Sequence, residues 1–243
     1  QRLIDQMRRI RVLHCPALVG GNPVGLARAE RRIGLDSWVV AFRPHRFGYK
    51  PDEILWAEED KPLTREAKRW HLLWRAIRDF DIVHFNFGKS IMPERIRENS
   101  AGGLGPLSLT KRVYALYTRA FELRDLAALK IARKCVLVTY QGDDARQGDF
   151  CLANFAVNHV SEVEPGYYSP QSDAAKRRRI ARFAAYADRI YALNPDLLRV
   201  LPSRAQFLPY SHVDLEDWRP MSEKKKVSDV ITIFHAPSYR GVK

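Results

Sequence analysis

Alternating strand-like and helix-like segments across 243 residues predict an α/β fold, a doubly wound, Rossmann-like parallel sheet. Three observations carry this expectation. Short, nearly continuous apolar runs recur, the pattern of strands covered on both faces. Between them lie stretches with apolar residues at helical spacing. Glycine-rich or polar turns follow the strands, at the edge where such sheets bind ligands.

The elements follow in order. Ile10–Pro16 reads as a strand. Ala17–Gly34 is a glycine-rich turn followed by a helix with Leu26, Ala27, Ala29 and Ile33 apolar, ended by Gly34. Ser37–Phe42 is the next strand, completing a β-loop-α-β unit. Thr64–Phe80 reads as an amphipathic helix; Ala67, Trp70, Trp74 and Ile77 form one face, predicted to pack on the sheet. Asp81–Gly88 is a strand running into a glycine turn. Leu109–Arg133 is a long amphipathic stretch leading to the strand and polar turn of Cys135–Asp144. A basic helix, Ala174–Ala187, precedes the strand Asp188–Asn194, and Ala205–Asp214 is a last short strand with a polar end. Five or six parallel strands result. Their carboxyl edge carries Gly20–Gly25, Asn86–Ser90, Gln141–Asp144, Asn194–Pro195 and Tyr210–Asp214. A charged spacer, Met221–Asp229, separates all this from a fresh strand at Val230–Pro237. The expected organisation is a domain over 1–221, a linker over 222–229 and the start of a second domain over 230–243.

Composition narrows the class. Hydrophobic residues at 46% and charged residues at 28% describe a globular chain. No apolar run approaches the roughly 18–20 residues that span a bilayer. Cysteines 15, 135 and 151 fit neither a disulfide framework nor a zinc site, which points to a reducing cytoplasm. The net charge of +13 favours anionic partners without naming one. Basic runs such as Lys176–Arg179 and Lys224–Lys226 lack the spaced aromatic platform of single-strand binders, so no nucleic acid is expected.

Several motifs bear on chemistry. The loop Gly20–Gly25 places Asn22 where a dinucleotide fingerprint has its middle glycine, and Arg43 stands where the ribose-binding acid belongs. NAD is therefore not expected. The loop either turns tightly or lets a sugar or diphosphate approach bare backbone. Asp79-Phe80-Asp81 spells a metal-binding triplet, yet it lies at the amino end of its strand, away from the ligand edge. No His/Cys cluster has metal-ligand spacing, so no metal or other cofactor is expected. His14, His84 and His235 sit in or beside apolar strands and read as core residues. Gln141-Gly142-Asp143-Asp144 lies at the ligand edge with adjacent carboxylates; an Asx-type turn explains it equally well.

Set end to end, "VLHCPALVGGNPVGLARAERRIG", "FDIVHFNFG", "VTYQGDDAR", "YADRIYALNPDLLRVLP", "FLPYSHVDLEDWRP" and "ITIFHAPSYRGVK" resemble glycosyltransferases of the two-Rossmann-domain (GT-B) type, in the nucleotide-sugar-dependent group 1, family 4-like set. The resemblance spans nearly the whole chain and implies the acceptor-side half of such a fold, with the first strand of the donor domain attached. It implies transfer of a hexose from a nucleotide sugar to the hydroxyl of a sugar or lipid-linked acceptor, with retention, in the cytoplasm. Arg240 and Lys243 resemble the cation pair that grips the donor diphosphate, with Gly21 beside them; fixed cations stabilise a leaving group's growing charge without a metal. Asn22, Asn86, Gln141 and Asp144 would face the acceptor. Asp143 matches the family's acidic position and would orient the acceptor hydroxyl. Gln141 stands where many relatives carry His, so no acid–base role passes to it. The donor domain's paired glutamates are not in this sequence, and the chain alone is expected to be inactive. The segment from Arg146 to Lys176, with Phe150, Phe155, Tyr167 and Tyr168, would form either an acceptor lid or plain loop packing. The alternative reading is a non-enzymatic basic module on an anionic membrane or polyanion; peripheral attachment to the inner face of the membrane is compatible with either.

Overall fold

The computed structural model describes residues 9–96, 109–210, 213–216 and 218–219. The expected linker at 222–229 and the strand from Val230 lie outside the described residues, as do Lys224–Lys226, His235, Arg240 and Lys243.

The strands are β1 (Arg11–Cys15), β2 (Asp36–Ala41), β3 (Glu53–Ile54), β4 (Ile82–Asn86), β5 (Cys135–Tyr140), β6 (Arg189–Ala192) and β7 (Gln206–Phe207). They form a seven-stranded sheet in the order β3-β2-β1-β4-β5-β6-β7. Every pairing is parallel, with registers such as Val12↔Ile82, Val83↔Val136 and Val138↔Ile190. The helices are α1 (Asn22–Arg32), α2 (Pro62–Asp79), α3 (Leu109–Phe121), α4 (Arg124–Ile131), α5 (Gly148–Asn154) and α6 (Pro170–Tyr186). The fold is the expected Rossmann-like α/β sheet, with more strands than the apolar runs alone disclosed.

Side-chain alternation assigns the faces. On β2, Val40 joins the main core with Leu72 and Leu73 of α2, Leu126 and Leu129 of α4, and Ile180 and Phe183 of α6. Its neighbours Val39 and Ala41 point the other way and pack with Leu18, just before the glycine turn, and with Ala27 of α1. Burying each large side chain of this core contributes about 1.5–3 kcal/mol. His14, on the α1 side of β1, is fully buried and hydrogen-bonds Glu30 at 2.8 Å, while buried His84 reaches Thr139 at 2.7 Å. Both are paired core histidines.

The amino edge is pinned by aspartates. Asp81 accepts the Arg11 amide at 2.9 Å, and Asp188 accepts the Val136 amide at 2.8 Å while pairing with Lys130 at 2.7 Å. Asp79 pairs with Arg78 at 2.7 Å. The Asp-Phe-Asp triplet is thus committed to the fold.

Several elements depart from expectation. Leu109–Arg133 is broken at Leu123, whose φ of 58° turns the chain between α3 and α4. α6 starts at Pro170, earlier than expected, because Ser169 caps it in a reciprocal pair with Ser172. On α1, Ala29 and Ile33 face solvent, and Asn22, Pro23 and Ala27 face inward. The largest correction concerns α2. Trp70 and Trp74 are 40% and 47% exposed, whereas Arg69, Leu72, Leu73 and Ala76 are buried. Arg69 takes the inward place because its guanidinium lies over the Phe42 and Trp56 rings at 4.7 and 5.1 Å, pairs with Glu66 and donates to the Ile91 carbonyl.

Candidate functional site

The strand order reverses direction between β1 and β4, so the crevice beyond their carboxyl ends is the place where such sheets hold ligands. β1 leads into Gly20 and Gly21, both left-handed with φ of 65° and 69°. A β-carbon on Gly21 would stand 2.9 Å from the Tyr49 ring, so backbone geometry and space both require glycine. α1 begins directly after this pair. Its first turn contains no acidic residue and no side-chain cap, and Asn22 is buried there. The helix therefore presents amide dipoles to the crevice.

Gln141, at the end of β5, faces this turn. It is 4% exposed, and its side-chain oxygen and nitrogen are both buried without a hydrogen-bond partner. The oxygen lies 3.6 Å from the position a β-carbon on Gly20 would take, with the Tyr210 ring 3.7 Å from the same point. The Gln141 carbonyl accepts from the Asn194 amide and, at 3.4 Å, from the Tyr210 hydroxyl. The turn after β1 and the Tyr210 ring thus lie beside the Gln141 side-chain amide, which has donors and an acceptor to offer, while Asn194 holds the backbone carbonyl of the same residue.

Asn86 ends β4 and is fully buried, with an unpaired Oδ1 and a long 3.4 Å contact from its nitrogen to the His84 carbonyl. Phe87 and Gly88 follow with positive φ, and Gly88 leaves room for the Tyr140 ring. Asp144 is buried and turned back on its own loop, accepting the Gly142 amide at 2.7 Å and the Gln141 amide at 3.1 Å. Burial pushes its carboxyl up to about 6, against the pull of those amides. The side chain thus reaches back to the amides two and three residues before it, rather than forming the Asx-type turn that would cap the element after it.

Asp143 points elsewhere. Both its oxygens accept phenol hydroxyls, one from Tyr167 and one from Tyr168 at 2.7 Å. Burial works against its ionised form, but the two phenols, Arg146 and Lys176 outweigh that and hold it below the usual carboxylate range. The Tyr168 hydroxyl also bonds His159 Nε2 at 2.8 Å. Since the phenol proton goes to Asp143, the phenol oxygen accepts from Nε2, so this nitrogen carries a proton and Nδ1 is the ring nitrogen outside the network. Arg146 grips Asp196 at 2.7 and 3.3 Å. Lys176 lies 4.5 Å over the Tyr168 ring and donates to the Arg146 carbonyl at 2.6 Å.

These groups border a cleft of about 380 Å³ lined by Asp143, Arg146, Phe155, Asn158, His159 and Asp196. Carboxylates, a guanidinium and an imidazole beside an aromatic ring suit a ligand rich in hydroxyls. Tyr167 and Tyr168 anchor the Arg146–Lys176 segment by their hydroxyls. Arg146 and Asp196 lie within stretches that carry the resemblance without being singled out there as site residues, and no local motif marks His159; the loop after α5 and the turn after β6 bring the three together. Among the described residues, no three His, Cys, Asp or Glu side chains cluster as metal ligands.

No family description and no curated protein matches the chain. A short chain dehydrogenase/reductase oxidoreductase from Brucella ovis is similar among solved structures, at 13% identity and a TM-score of 0.32, over 81% of this chain and 87% of that one. A superposition that loose carries no functional argument.

Proposed function

We propose that this chain is the acceptor-side domain of a nucleotide-sugar-dependent glycosyltransferase of the two-domain GT-B type, which moves a hexose to an acceptor hydroxyl with retention. The observation that carries the reading is the buried, unpaired Gln141 amide facing the Gly20–Gly21 turn. An unpaired amide in that position costs about 1–3 kcal/mol unless a ligand or water completes it. A sugar hydroxyl is a suitable partner, since it both donates and accepts.

In the reaction, the bond from the anomeric carbon to the donor phosphate breaks and a bond to the acceptor oxygen forms. The nucleoside diphosphate leaves with the electron pair, and the acceptor's hydroxyl proton passes to the departing phosphate oxygen. Gly21 and the first turn of α1 would lie against the diphosphate, and Arg240 and Lys243 would be the cations that grip it. Asn22 and Asn86 would face the acceptor with Gln141. Asp144 would shape the turn. Asp143 would act through Tyr168, fixing His159 in the tautomer that accepts a hydroxyl proton in hydrogen bonding. No metal has a role in this scheme, and the cytoplasm supplies the nucleotide sugar.

The test is release of nucleoside diphosphate by the polypeptide carrying both halves, offered uridine, guanosine and adenosine diphosphate hexoses. Release that requires an added acceptor, with retained anomeric configuration in the product, supports the reading. Silence with every donor contradicts it. The 243-residue chain alone should melt cooperatively and turn over nothing.

A further inference from the structure

Among the described residues, the outer face of α3 stays exposed. Leu109, Val113 and Leu116 are 77%, 58% and 66% exposed. With Ala120 they follow the spacing i, i+4, i+7, i+11, which gathers them within roughly 60° of one helix face. Arg112 and Arg119 lie along one border of this stripe, and Tyr117 along the other. The inward face is polar and well tied. Tyr114 and Tyr117 donate to Glu66 at 3.0 and 2.9 Å, Trp70 donates to the Tyr117 hydroxyl at 2.8 Å, and Trp70 meets Phe121 edge-on at 5.2 Å. α3 thus rides on α2 as an outer layer, with its apolar stripe outward and partly exposed Trp70 beside it.

We propose that α3 is an interfacial helix that seats the protein on an anionic lipid bilayer, its stripe entering the headgroup region and its arginines pairing with phosphates. Charge selects this occupant over a second copy of the chain. The helix carries Lys111, Arg112 and Arg119 and no acidic residue, and the whole chain stands at +13. Two copies joined stripe to stripe would set these cations against one another, whereas an anionic surface turns each into an attraction. On α2, Glu66 is paired with Arg69 and the two tyrosines, so it does not oppose the cations from below. Apolar, aromatic and basic residues segregated in this way are the composition of helices that lie in the interface plane. At 13 residues α3 is about 20 Å long, and no described helix is long and apolar enough to cross a membrane. The inference rests on α3 alone and is independent of the glycosyltransferase reading.

Sedimentation of the 243-residue chain with phosphatidylglycerol and with phosphatidylcholine vesicles tests it. Binding is expected to the anionic vesicles only, to weaken with added salt, and to blue-shift the fluorescence of the Trp70 environment. Val113→Gln with Leu116→Gln should abolish it; both side chains are exposed, so an unchanged melt confirms that folding is intact. Arg112→Gln and Arg119→Gln should each weaken partitioning about fivefold. Binding that survives the glutamine pair would overturn the proposal, as would failure to bind phosphatidylglycerol at all. A concentration-dependent dimer that the same pair dissolves would give the face to a second copy and overturn it equally.

Discussion

The Tyr168 hydroxyl joins Asp143 Oδ1 at 2.7 Å to His159 Nε2 at 2.8 Å, making one phenol the hinge between a carboxylate and an imidazole. The carboxylate does not meet the cleft with free oxygens; it governs a histidine that does. Tyr168→Phe should release His159 to a mixture of tautomers, seen as intermediate imidazole nitrogen shifts in long-range ¹H–¹⁵N spectra. In the proposed two-domain transferase the same change should lower transfer by one to two decades, roughly what loss of a positioning contact costs. His159→Gln should match it in size. A single unchanged tautomer in Tyr168→Phe would remove Asp143 and Tyr168 from any such role.

Asp143→Asn separates positioning from folding. Replacing the ionised acceptor of two phenols should cost about 1–3 kcal/mol of stability. The carboxyl is held low in the folded state, so its contribution is present at neutral pH, above the unfolded pKa. It fades as pH falls through the folded pKa. Wild type and variant should therefore differ most at neutral pH and converge in strong acid, which thermal melts across pH will read. A difference that grows in acid would contradict the hydrogen-bond geometry.

Asp144 gives the opposite slope. Its carboxyl is pushed up to about 6 by burial, so the folded state takes a proton before the unfolded chain does. Its contribution is fully present below the unfolded pKa of about 4 and is lost as pH rises through about 6. Buried His84, held well below its usual value by burial and by His14, works against this in neighbouring conditions. The informative quantity is thus the variant-minus-wild-type difference. Asp144→Asn should remove a component that raises stability between neutral pH and about pH 4, on the order of 2–3 kcal/mol. No change in slope would place Asp144 in a more hydrated setting.

Gly21→Ala should destabilise more than Gly34→Ala. Both positions have positive φ, at 69° and 93°, but only Gly21 has Tyr49 within 2.9 Å of the new methyl, while Gly34 has nothing within 4 Å. Strain alone costs roughly 1–3 kcal/mol at either site. Adding Tyr49→Ala to Gly21→Ala should recover the excess, since it removes the colliding ring. Equal losses at the two glycines would show that the turn relaxes around the methyl.

What the sequence disclosed depended on how local each signal was. β1, β4 and β5 are covered on both faces, so their apolar runs are continuous and legible. β3 is a two-residue edge strand, Glu53–Ile54, with no run to read. The turn at Leu123 contains neither glycine nor proline, and so the break between α3 and α4 left no mark. Arg69 and Trp70 exchanged their expected places because a guanidinium stacked on Phe42 and Trp56 is a better core filler than composition suggests. At the site, the turns holding Gly21 and Gln141 were legible because they follow buried strands. His159 and Asp196 were not, because only the folded topology brings them beside Asp143.

The most direct measurement of the central claim is the side-chain amide resonance of Gln141 in a ¹H–¹⁵N spectrum of the polypeptide carrying both proposed halves. The amide is buried beside Gly20 without a partner, so a ligand in the crevice must alter its shift. Titration with uridine, guanosine and adenosine diphosphate hexoses should move this resonance and the Gly20 and Gly21 amides together for one of them, while NAD leaves all three unmoved. Movement with NAD alone, or with none of the sugar nucleotides, would contradict the account.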